Sequence, residues 1–198
     1  MNSGILAGIG LAAACGWNTF TPLLIVALAD RITGGDLLDR PFDFISSAGS
    51  ILLFLALMTV ELVADKIPRL DHALDVLGAV LRPTTAALCF MAITQHDSSM
   101  HPILAMMFGL AIGGLVHWDK VQRRIRLAHE GLGLGTPFVS VVEDIASSLT
   151  AVCALLLGLI GPIAVILNWL MVRAAYRWGA GFGKSTIARS RTNQTLRR

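Results

Sequence analysis

The chain has 198 residues, 55% of them hydrophobic and 15% charged, with a net charge of +3. That balance excludes an ordinary soluble domain, in which about a quarter of the residues are charged. The basic excess does not point to nucleic acid: every Lys and Arg except Arg31 and Arg40 fits on one side of a membrane beside apolar stretches, as orientation signals do.

Residues 4–29 carry no charge. A hydrocarbon core about 30 Å thick needs about 20 apolar helical residues, so residues 4–28 are predicted to form a first span. Leu11-Ala12-Ala13-Ala14-Cys15 faintly resembles a lipoprotein cleavage box. Residues 1–3 lack a positive charge, however, and the apolar run continues past the cysteine, which favours an uncleaved span. Trp17-Asn18-Thr19 is polar for a span centre, and Pro22 cannot donate to the carbonyl of Asn18. A broken helix is expected here, as in transporters that expose backbone groups to a substrate. Intact membrane helices also tolerate proline.

A loop holding Asp30, Arg31, Asp36, Asp39, Arg40 and Asp43 leads to the second predicted span, 47–64. Glu61 and Asp65 share a helix face at its end, and Pro68 stops it. Asp71 and Asp75 repeat that spacing at the start of the third span, 74–94, where negative charge suits the helix dipole. Gly78 and Arg82 continue the stripe, and Pro83 frees the carbonyl of Ala79. Glu61 and Arg82 fall below the headgroups, where a charge costs about 2.5–3.5 kcal/mol on insertion scales unless paired or hydrated.

The fourth span, 102–118, ends at His117, with Lys120 just beyond. Residues 119–130 read as an interfacial amphipathic helix, because Val121, Ile125, Ala128 and Leu132 form an apolar stripe among basic residues. Gly131, Gly133 and Gly135 then loosen the chain. Spans five and six, 139–159 and 163–178, form a hairpin turning at Gly161-Pro162; the alternative is one long kinked helix. Ser140, Glu143 and Asp144 open span five in a capping-box-like pattern. Residues 1–180 are thus the transmembrane domain, and 181–198 a basic tail expected to be disordered. The glycine-rich Gly179-Ala-Gly181-Phe-Gly183-Lys184-Ser185-Thr186 is not a phosphate loop: Trp178 stands where a glycine is required, and no strand precedes it. Cys15, Cys89 and Cys153 are too widely spaced for a disulfide framework or a zinc site. Gly4-x3-Gly8 and Gly109-x3-Gly113 are small-residue packing motifs, compatible with contacts inside one chain or between copies.

The expected fold is an all-α polytopic membrane bundle of about six transmembrane helices, with broken helices and an interfacial amphipathic helix. An even span count and the charge bias place both termini in the cytoplasm. Asn18, Glu61, Asp65, Arg82, His117, Glu143 and Asp144 are the candidate substrate- or ion-binding residues. Of these, Glu61, Asp65, His117 and Glu143 offer oxygen and imidazole ligands for a divalent cation. The same groups suit a proton relay or a salt-bridged lock involving Arg82 and Lys66. Plain membrane anchoring is the competing reading for Lys66, Arg69, Asp71, Lys120 and Asp144, and a polar interfacial role for His72 and His129.

Glu61-x3-Asp65-Lys66-x-Pro68-x2-Asp71, with Arg82-Pro83, His117-x2-Lys120 and Ser140-x2-Glu143-Asp144, resembles a bacterial family of small multi-pass membrane proteins catalogued as domain of unknown function 4126. The resemblance runs from about Gly4 to Trp178 and leaves out the basic tail. It implies the fold and marks these polar positions as shared, and it supplies no substrate. The leading functional expectation is a small transporter or channel-like protein of the bacterial inner membrane, a homo-oligomer in contact with the anionic inner leaflet. The alternatives are a non-catalytic subunit of a larger membrane complex, whose charges are structural, and a metal-dependent enzyme acting on lipid headgroups.

Overall fold

In the computed structural model, residues 3–96, 100–129, 136–158, 161–174 and 176–177 are described. The chain forms α1 (Ser3–Trp17), α2 (Phe20–Ile32), α3 (Ala48–Ala64), α4 (Pro68–His96), α5 (Pro102–His129), α6 (Thr136–Leu157) and α7 (Gly161–Ala174), with a short 3-10 turn at Phe42–Ser46. The described residues form helices joined by turns and short connections, without strands. Three helices are long and apolar enough to cross a membrane, Asp75–Gln95, Pro102–Arg126 and Phe138–Leu157, and α1, α3 and α7 are shorter apolar helices. The protein is a membrane protein with a helical-bundle architecture.

Helix α1 is the axis of the bundle. Its Gly- and Ala-rich sequence buries 12 of 15 residues on all faces, and α4, α5 and α6 surround it. Small residues set how closely those helices approach. A Cβ on Gly16 would lie 2.5 Å from Val116 Cβ, and one on Gly113 2.3 Å from Ala86 Cβ. A Cβ on Gly109 would meet the backbone of Ala87 at 2.5 Å. Gly109-x3-Gly113 therefore packs α5 against α4 within one chain. Helix α3 is the opposite case: only Phe54 and Glu61 are buried, while Leu52, Leu53, Val60 and Val63 face outward.

The predicted first span is two helices running in opposite senses. Trp17 and Thr19 stand beside Lys120 and Glu61. From there α2 runs back along α3, and Arg31 Nε donates to the carbonyl of Ser46 at 2.8 Å. Leu37, just past α2, lines the same small cavity as Ser3, Ile93 and Leu155. So α1 enters the bundle from one end, and α2 returns to that end. This corrects the single span over residues 4–28: the break reverses the chain instead of kinking it. Ser3 touches Gly158 at one end of the bundle, whereas Tyr176 bonds to Glu143 at the other.

Three further expectations meet the structure differently. Pro83 lies inside a continuous α4 and does not break it. Residues 119–129 continue α5 without interruption, and their buried face is the basic one: Lys120, Arg123 and Arg124 are buried while Ile125 is 44% exposed. The α6–α7 hairpin holds, because Asn168 Nδ2 donates to Ala146 O at 3.0 Å and Asn168 also pairs with Thr150. Those contacts are out of reach for one long helix. The basic tail, the glycine-rich stretch 179–186, Glu130–Gly135 and the side chains of Arg69, Asp71, His72 and His129 lie outside the described residues.

Candidate functional site

The break between α1 and α2 is the geometric centre of the polar residues. Ending α1 at Trp17 leaves its last carbonyls without helical partners, and starting α2 at Phe20 leaves its first N–H groups without them. Side chains of opposite charge from other helices supply both. Lys120 Nζ on α5 donates to the Trp17 carbonyl at 2.8 Å. Glu61 on α3 accepts from Thr19 N at 3.0 Å through each carboxylate oxygen, from Thr19 Oγ1 at 3.0 Å and from Phe20 N at 3.2 Å. A cation therefore sits at the negative end of α1 and an anion at the positive end of α2, the sense the helix dipole favours. Ser147 Oγ adds a bond to Ala14 O at 2.9 Å.

From this break a column of charge runs outward between the helices. Arg82 Nη2 lies 3.5 Å from Glu61 Oε1, and its Nη1 lies 2.9 Å from His117 Nδ1 and 3.5 Å from Asp75 Oδ1. A guanidinium only donates, so His117 Nδ1 accepts and its ring is neutral. Lys120 stands 3.4 Å from Asp65 and 3.3 Å from Glu143. Arg124 Nη2 joins Glu143 Oε2 at 2.8 Å, and Tyr176 donates to the other Glu143 oxygen at 2.8 Å. Arg124 reaches Asp65 as well, at 3.4 Å. His117 to Arg124 spans seven residues of α5, so the column is about 10 Å long.

One branch reaches the surface. Asn18 Nδ2 donates to Asp144 Oδ1 at 2.9 Å, and Lys66 Nζ bonds the other Asp144 oxygen at 3.1 Å. The Lys66 side chain is 37% exposed and that of Asp144 15%, whereas Lys120 and Glu143 are sealed. Asp65, in the connection after α3, has its carboxyl pulled down to about 2. Burial alone would raise it, but the charges of Lys120, Arg124 and Arg82 outweigh that burial.

Every candidate from the sequence is joined here: Asn18, Glu61, Asp65, Arg82, His117, Glu143 and Asp144. Four of them, Glu61, Asp65, His117 and Glu143, were also expected as possible metal ligands. Among the described residues no three His, Cys, Asp or Glu side chains converge as ligands would. Glu61 is spent on α2 and Arg82, while Asp65 and Glu143 face Lys120 and Arg124. Lys120 is no anchor at a helix end but a wholly buried ammonium.

Sequence reasoning missed Arg124, Thr19 and Tyr176. His117, Lys120 and Arg124 recur at i, i+3 and i+7, a polar stripe as regular as the apolar one beside it. Thr19 and Tyr176 carry no such signal.

Among the described side chains of the column, Glu61, Asp65, Asp75, Asp119, Glu143 and Asp144 face Lys66, Arg82, Lys120, Arg123 and Arg124: six acids and five bases, with His117 neutral.

The family model described as "Domain of unknown function (DUF4126)" matches residues 5–177, which include every residue of the column. No curated protein and no solved structure matches the chain. The chain belongs to that family.

Proposed function

We propose that this member of the family is a small membrane transport protein, held closed at the α1–α2 break. One observation carries the reading. A helical hairpin turns back inside the bundle, and charged side chains of its neighbours hold both half-helix ends. Irregular backbone at membrane depth is tolerated where protein buries it or where it lines an aqueous path, and discontinuous helices commonly bind the cargo. Here Glu61 and Lys120 occupy the places that substrate and coupling ion take in such proteins. The Lys66–Asp144 pair, the exposed end of the column, is the latch.

By the positive-inside rule the column end faces the cytoplasm of a bacterial inner membrane, since Lys66, Arg126, Arg173 and Arg177 lie there. The N-terminal end of α1 and the connection after α2, with Asp30, Asp36, Asp39 and Asp43, face the opposite side.

The test is flux. Purified protein in liposomes, under a proton gradient with a pH-sensitive dye inside, is expected to dissipate the gradient, and Glu61→Gln and Glu143→Gln to abolish the effect. Equal flux in both variants and wild type overturns the reading. A second reading, a structural subunit, is favoured by the ion pairing of all these carboxylates. It predicts no flux in wild type and a larger complex copurifying under mild detergent.

A further inference from the structure

The end of the bundle that holds the column also carries an unbalanced corner, where α5 meets α7. Asp119 and Arg123 lie one turn apart on α5, and Trp169 and Arg173 one turn apart on α7. Trp169 Nε1 donates to Asp119 Oδ2 at 3.1 Å, and Arg123 Nη2 pairs with the same oxygen. Arg173 lies over the Trp169 ring, 4.4 Å from its centre, and Arg123 over the Tyr176 ring at 5.5 Å. Arg126 and Arg173 both stand near enough to Arg123 to repel its charge.

The corner thus gathers three guanidinium groups, those of Arg123, Arg126 and Arg173, around one carboxylate. Its neutral donors are already used: the Trp169 indole on Asp119, and the Tyr176 hydroxyl on Glu143. Glu143 also attracts Arg123, but Arg124 and Lys120 hold it on the column side. Arg126 and Arg173 are exposed, and among the described residues neither forms an ion pair with a carboxylate. Arg123 is the buried member, 8% exposed, and its Nε and Nη1 have no hydrogen-bond partner. A guanidinium only donates, so the corner lacks acceptors as well as negative charge.

Its depth says which anion is at hand. Trp118, beside Asp119, is 64% exposed and Trp169 is 36% exposed; indoles so placed sit at headgroup level. Outward from the corner, Ile163, Ile166 and Leu170 are exposed on α7 and form an apolar stripe that leads to Arg173. Cation above and apolar stripe below match a lipid, with its phosphate and its acyl chain. Basic pockets between membrane helices on the cytoplasmic side bind anionic headgroups in this way.

We propose that the α5–α7 corner binds one anionic phospholipid. Arg126 and Arg173 grip the headgroup phosphate, since the arginine fork matches phosphate oxygens in pairs. The buried charge of Arg123 draws the phosphate from behind them, and an acyl chain lies along Ile166 and Leu170. The site stands whether or not the protein transports anything.

Thermal stability of the detergent-purified protein is measured against phosphatidylglycerol in mixed micelles, with phosphatidylcholine and inorganic phosphate as controls. The expected result is a saturable rise with phosphatidylglycerol and none with either control. Arg173→Gln, a change at an exposed position, is expected to raise the half-saturating lipid concentration about tenfold. Arg40→Gln removes an exposed arginine at the opposite end of the bundle and is expected to leave it unchanged. Equal weakening by both variants overturns the site, and so does an equal response to phosphatidylcholine. A rise with inorganic phosphate as large as with the lipid overturns the lipid in favour of free phosphate. Native mass spectrometry covers a lipid that is already bound: one retained phosphatidylglycerol is expected on wild type, at much lower occupancy on Arg173→Gln. Neither a rise nor a retained lipid overturns the proposal, as does retention undiminished in Arg173→Gln.

Discussion

Two prolines with similar prospects in the sequence behave differently. Pro22 follows a break that reverses the chain, and Pro83 sits inside a helix of 29 residues that does not break at all. Proline is not what separates them. Pro22 lies in the first turn of α2, where its missing N–H costs nothing, and the break precedes it at Asn18 and Thr19. What the first site has, and the second lacks, is charge delivered to both open ends by neighbouring helices: Lys120 to the Trp17 carbonyl, and Glu61 to the Thr19 and Phe20 amides. Around Pro83, α4 instead presses against α5 through Gly109 and Gly113, which rewards a straight helix. In a membrane, a helix ends where other elements satisfy its backbone.

If charge makes the break, removing it should be the most damaging change. Lys120→Met strips a buried ammonium from Asp65, Glu143 and the end of α1, and is expected to cost about 3–5 kcal/mol, as for other broken buried pairs. Denaturant unfolding in detergent measures this, and a loss under about 1 kcal/mol would mean the ends need no charge. Gly16→Ala tests the packing that delivers Lys120. Its Cβ would collide with Val116, costing about 1–3 kcal/mol by the same assay.

Acid probes the column's outer part more gently. The folded pKa of Asp65, about 2, lies below its unfolded value of 3.8, so its stabilisation is present above pH 3.8. That stabilisation, about 2 kcal/mol, is lost as pH falls through 2. Thermal midpoints of wild type and Asp65→Asn should therefore converge on acidification; a constant gap from pH 5 to pH 2 would show that Asp65 is not charge-stabilised. The smallest effects belong to the prolines. Pro22→Ala is expected to change stability by less than about 0.5 kcal/mol. Pro83→Ala gives Ala79 back its backbone donor and is expected to stabilise by about 1 kcal/mol. A large loss in Pro22→Ala would return the break to proline.

The helices themselves were legible in the sequence. The predicted span 47–64 differs from α3 by one residue, because Ser47 caps it with Oγ accepting from Ser50 N at 3.1 Å, a local signal. The candidate residues were legible too, since charge inside an apolar stretch is costly enough to demand a partner. Their pairing was not. Glu61 finds Thr19 across 42 residues, and Lys120 finds Trp17 across 103. Nor was the reversal at Asn18: an uncharged run of 26 residues fits one crossing as well as two half-length helices, and only the contact of Leu37 with the end of the bundle that holds Ser3 decides between them. The basic residues of α5 read as headgroup-facing in the sequence, because hydropathy alone cannot separate a solvated charge from one buried against a carboxylate.

The most direct measurement is labelling of single cysteines in sealed vesicles of both orientations with a membrane-impermeant maleimide. Ser3→Cys, Asp36→Cys and Arg126→Cys are each made after Cys15, Cys89 and Cys153 are replaced by Ala. The reversal predicts that positions 3 and 36 label from one face and position 126 from the other. Labelling of positions 3 and 36 from opposite faces would contradict it, restoring a first helix that crosses the membrane once and removing the hairpin on which the site is built.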